Sequence, residues 1–63
     1  MTLCYLRVAG ITSPTYVTPK NGFTRTLDNA KIFRNEDDFE QIQLITHANM
    51  QVHPPIYVRV INL

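Results

Sequence analysis

Apolar and polar residues alternate in two stretches of the chain, one near its start and one near its end, and a run between them repeats at helical spacing. In Leu3-Cys4-Tyr5-Leu6-Arg7-Val8-Ala9 the side chains of Cys4, Leu6 and Val8 fall on one side, and those of Leu3, Tyr5 and Arg7 on the other. A period of two is that of a strand with one buried face. Ile56-Tyr57-Val58-Arg59-Val60-Ile61 behaves the same way: Ile56, Val58 and Val60 face one side, Tyr57, Arg59 and Ile61 the other. Asn35 is placed as an N-cap, with Glu36, Asp37 and Asp38 filling a first turn and Asp38 where a capping-box acid would stand. Phe39, Ile42 and Ile45 then recur as an apolar stripe, which Leu44 lies off, and Asn49 is placed to end the helix.

The connections carry their own signals. Gly10 breaks the first strand, Thr12-Ser13-Pro14 is a turn, and Thr15-Tyr16-Val17-Thr18 is a second strand. Pro19-Lys20-Asn21-Gly22 is the strongest turn signal, and Phe23-Thr24-Arg25 can return from it as a short hairpin arm. Thr26 stands ready to cap a single helical turn through Ala30, after which Ile32 and Phe33 would anchor the connection in the core. Met50 to Pro55 is a connector that Pro54-Pro55 forces to run extended. The expected fold is α+β: a small antiparallel sheet of three to four strands with one helix packed on one face, in the order ββ(β)αβ, as a single domain over residues 1–63.

A chain of 63 residues has a thin core. Cys4 is the one cysteine, so an intrachain disulfide is out, and a lone thiol suits a reducing interior. His47, His53 and Cys4 do not stand at a finger-like spacing, so no metal is expected. With Gly10 and Gly22 the only glycines, no phosphate-cradling loop and no cofactor are expected either. The net charge of +1 is far from that of a protein built on phosphate backbones, although a local patch can act without a large net charge. No apolar run approaches the roughly 18 residues of a membrane span, and Met1-Thr2-Leu3-Cys4-Tyr5 lacks the character of a secretory signal, so the cytoplasm is the expected location.

Residues Tyr16 to Glu40 resemble a pattern found in small uncharacterised proteins of tailed bacteriophages. A strand and a Gly-bearing turn lead to a capped helical turn, an Ala-Lys-[Ile/Val]-Phe stretch, a capped acidic helix and a Val-rich last strand. Here the pieces are Tyr16-Val17, Asn21-Gly22-Phe23, Thr26-Leu27-Asp28-Asn29, Ala30-Lys31-Ile32-Phe33 and Asn35-Glu36-Asp37-Asp38-Phe39-Glu40. The chain departs from the pattern in its Gly10-to-Ser13 connection and in His53-Pro54-Pro55. The resemblance carries no catalytic residues. It implies a phage protein at work in the bacterial cytoplasm, where such small chains are often inhibitors of host or defence proteins.

The residues that point to a use are those on the sheet face away from the helix. If Cys4, Leu6, Val8, Ile56, Val58 and Val60 meet the helix, then Tyr5, Arg7, Tyr57 and Arg59 point outward together, joined by Tyr16 if Val17 points inward. Tyr and Arg combine contact area with directional polar groups and are enriched at binding hot spots. The same residues could stack on exposed bases and pair with phosphates, or be ordinary strand surface. The acids from Glu36 to Glu40 suit a helix start without any partner. A nucleophilic Cys4 served by His47 or His53 conflicts with its place on the inward face, and Ser13 has no nucleophile-elbow context. The expectation is a non-catalytic protein-interaction module whose partner-binding residues are Tyr5, Arg7, Tyr16, Tyr57 and Arg59. It would inhibit a host or defence protein by occlusion; the alternative is nucleic-acid binding through the same face, which could also close a homodimer. Loss of Val58 or Phe39 as core residues would each cost roughly 2–5 kcal/mol.

Overall fold

Strand β1 (Leu3–Val8) is the centre of the sheet in a computed structural model that describes residues 2–63. The other elements are β2 (Tyr16–Val17), β3 (Phe23–Thr24), β4 (Phe33–Arg34), helix α1 (Phe39–Met50) and β5 (Val58–Asn62), with a single 3-10 turn at Leu27–Asn29. All strand pairings are antiparallel. One edge of β1 is taken by β5, with Cys4 opposite Asn62 through to Val8 opposite Val58. Its other edge is shared end to end: β2 pairs at Arg7 and β4 pairs at Leu3 and Cys4. The sheet thus has five strands, with β3 outside β2, and carries one helix, the α+β class expected from the alternating runs.

The core follows the parity of β1. Cys4, Leu6, Val17 and Phe33 are enclosed, and Ile42 and Ile45 of α1 close over them with Val58 packed alongside. Phe33 and Leu6 are the largest side chains with no exposure at all. The hairpin between β2 and β3 forms as the Pro-Lys-Asn-Gly signal implies, although Asn21 rather than Gly22 takes the positive φ, at 63°. Thr18 secures it: its N–H donates to the Gly22 carbonyl, and its Oγ1 accepts from the Gly22 N–H, both at 3.0 Å.

Five expectations need correction. The helix does not begin at Asn35. Residues 35–38 form a turn that Asp38 closes from both sides, its N–H donating to the Arg34 carbonyl at 2.8 Å and its Oδ2 accepting the Arg34 N–H at 2.7 Å. A short acid that bonds back to the preceding backbone competes with helix, so α1 starts at Phe39 and only Glu40 remains as a first-turn acid. Phe39 is 56% exposed rather than core. It stands at the first position of α1, outside the core that Ile42 and Ile45 reach from the same helix.

The third correction is β4. Lys31 to Arg34 was expected as an anchored connection, yet Phe33-Arg34 is a strand against the start of β1, and Ile32 is exposed while Phe33 is buried. The Lys31 N–H donating to the Val17 carbonyl at 2.9 Å lays this segment beside β2. Fourth, Thr26 precedes the 3-10 turn but makes no side-chain cap; its carbonyl accepts from the Asn29 N–H instead. The last strand also begins later than its alternation suggested, at Val58, after a connector that contains a cis His53–Pro54 peptide.

Candidate functional site

The face of the sheet away from α1 is built by register. Val8, Leu6 and Cys4 stand opposite Val58, Val60 and Asn62 on the helix side, which puts Arg7 opposite Arg59 and Tyr5 opposite Ile61 on the other. Arg7 also stands opposite Tyr16 across its second edge, so Tyr16 joins the same face while Val17 turns into the core. The Ala9 N–H donates to the Tyr57 carbonyl at 2.8 Å, which continues the ladder one pair beyond β5 and keeps Tyr57 in phase with Arg59. The five residues singled out from the sequence therefore share one face, and no helix lies over it among the described residues.

The face is not uniform. Tyr5 and Tyr16 pack edge to face with ring centroids 5.4 Å apart, and both are half-buried. Tyr57 is 56% exposed and stands apart at the entry to β5. Between them Arg7 and Arg59 oppose each other directly. Like charges directly opposite each other destabilise an antiparallel pair, so the sheet carries this placement at a cost. The opposite end of the face is apolar: the Leu63 N–H donates to the Leu3 carbonyl at 2.9 Å, which aligns both with Ile61 and Tyr5. Alternation puts Ile61 and Leu3 on the outward side, but their part in the patch emerges only once β1 and β5 are neighbours.

Other features carry less chemistry. Cys4 is wholly enclosed, and burial, reinforced by the nearby Asp38 carboxylate, raises its thiol pKa above the ordinary cysteine value. Such a thiol is protonated at neutral pH, the reverse of an activated nucleophile. His47 and His53 are both exposed. Glu40, Leu44 and His47 line an open hollow along the outer surface of α1. Among the described residues no three His, Cys, Asp or Glu side chains gather closely enough to hold a metal ion, and no helix is long and apolar enough to cross a membrane. Arg34 and Asp37 form an exposed ion pair at 4.0 Å, long enough to contribute little.

No family model matches the chain, and no curated protein and no solved structure is significantly similar to it.

Proposed function

We propose that the chain is a small non-catalytic protein-interaction module that binds its partner through the open sheet face. The carrying observation is the register that places Tyr5, Arg7, Tyr16, Tyr57 and Arg59 on one face of the sheet with α1 on the other. Rigid aromatic anchors beside arginines, with an apolar margin of Leu3, Ile61 and Leu63, are the composition of an interface centre rather than of ordinary surface. The Tyr16-to-Glu40 resemblance supports a phage setting, in which the protein inhibits a host or defence protein by covering its surface. A second copy of the chain would compete for the same face.

Arg7 and Arg59 side by side also suit phosphates, and that keeps nucleic-acid binding as the second reading. Affinity capture from bacterial lysate, with the wild-type chain beside the Tyr57→Ala/Arg59→Ala double variant, separates the two. The expected outcome is one protein retained by the wild type, lost by the variant, and resistant to nuclease and to moderate salt. Nuclease-sensitive capture that weakens steeply with salt would instead assign the face to nucleic acid.

A further inference from the structure

Arg7 and Arg59 are held opposite each other on neighbouring strands and have no acidic partner among the described residues. All five acidic side chains of the sequence belong to the segment from Asp28 to Glu40, and the one ion pair among the described residues joins Arg34 to Asp37. The two arginines line a cleft of about 240 Å³ together with the Gly10-Ile11 bend and Ile61. Gly10 has a φ of 80°, and the space where a side chain would stand is empty. The backbone N–H of Gly10, at this bend, donates to no protein acceptor among the described residues. Two arginines and the Gly10 amide around one hollow form a set of donors without an acceptor.

We infer that this cleft is a two-armed clamp for a single carboxylate, supplied by an acidic segment of a protein partner. The inference rests on the open face being a binding face and names the chemistry of its partner. The cleft is smaller than the roughly 300–1,000 Å³ of small-molecule sites, and its size suits the end of one acidic side chain. Guanidinium forks match a carboxylate in two parallel hydrogen bonds, and an anion here turns an unfavourable cation pair into a bridged one. A protein fits better than a nucleic acid because the cleft is bordered by the apolar Ile11 and Ile61.

The test uses the full chain labelled for NMR and titrated with a blocked glutamate (N-acetyl, N-methylamide), with sodium chloride at matched ionic strength as reference. The expected result is saturable shifts at the Arg7 and Arg59 side-chain N–H groups and at the Gly10 and Ile11 amides, absent with chloride. Arg7→Gln and Arg59→Gln should each weaken binding about ten-fold, the worth of one charge-assisted hydrogen bond, while Arg25→Gln changes nothing. Arg7→Lys and Arg59→Lys keep the charge but lose the fork, and should also weaken it. Should the glutamine variants fail to fold, the lysine variants and the wild-type melting temperature serve: blocked glutamate should raise it beyond what chloride does.

Shifts no larger than those with chloride, or binding indifferent to both arginines, would overturn the clamp. So would a short single-stranded oligonucleotide that binds through both arginines more tightly than a glutamate-rich peptide of equal length. Tyr57 does not line the cleft, which keeps the two proposals separable. Partner capture that still depends on Tyr57 when glutamate fails to bind sinks the clamp alone; glutamate binding without Tyr57-dependent capture sinks the wider binding role alone.

Discussion

β1 and β5 are neighbours with the same alternating pattern and a shared register, yet they live in different surroundings. β1 is paired along both edges and lies under the helix, so Cys4 and Leu6 are wholly enclosed and Val8 nearly so. β5 is paired on one edge only, and its helix-side residues fade from the half-buried Val58 to Val60, which is 46% exposed. Parity decides which way a strand residue points, while depth depends on what stands beside and above it. α1 leans its two buried residues, Ile42 and Ile45, toward β1, Val17 and Phe33, and reaches β5 mainly at Val58. The outward residues of β5 are consequently less confined than those of β1, which suits a strand that carries the exposed half of a binding face.

That contrast can be broken or sharpened by substitution. The largest effect is expected at Phe33, whose ring fills the space between β1 and α1: Phe33→Ala should cost about 3–5 kcal/mol and leave much of the chain unfolded at room temperature. Leu6→Ala should follow at about 2–5 kcal/mol, whereas Val60→Ala, across the strand pair from it, should cost less than about 1 kcal/mol. Urea denaturation of the two variants measures the contrast directly, and equal losses would mean that β5 is covered as deeply as β1.

Cys4 sharpens the comparison through pH. Its folded-state pKa is raised by burial first and by the Asp38 carboxylate second. The stability contributed by the neutral thiol is therefore whole below the unfolded value of about 8.5, and is lost as pH rises through the higher folded value. Between neutrality and about pH 10.5 the wild type should lose more stability than Cys4→Ala, a difference that excludes the tyrosines because both proteins contain them. Parallel pH profiles would mean that the thiol is not sealed in.

Asp38→Ala should cost about 1 kcal/mol, from the loss of the carboxylate that accepts the Arg34 N–H ahead of α1. The smallest effect is expected for Phe39→Ala, within a few tenths of a kcal/mol, because its ring is mostly in solvent. A drop of several kcal/mol there would restore Phe39 to the core and move the helix start closer to Asn35.

The strands with long clean alternation could be read directly, because the period alone fixes which side chains share a face. That is why Tyr5, Arg7, Tyr57 and Arg59 could be grouped before any fold was known. Tyr16 needed one more step, the inward turn of Val17, which the structure supplies through the Arg7 pairing. β4 was hidden because a strand of only Phe33 and Arg34 has no period to detect; it exists through its pairing with β1. The acid-rich stretch misplaced the helix start because a capping box and an acid folding back on the previous backbone use the same residue types. The Arg7–Arg59 opposition could not be seen in either strand alone, since it arises from register between segments far apart in the chain.

The same pairing sets a clock on folding. The longest ladder of the sheet joins the first strand to the last, so β1 must wait for nearly the whole chain before its second edge is closed. Local hairpins such as β2–β3 can form early, but the ladder that completes the centre of the sheet has the highest loop-closure cost and should form late. On a ribosome, Cys4, Leu6 and Val8 would emerge well before the residues they pair with, Val58 to Asn62, and wait for them.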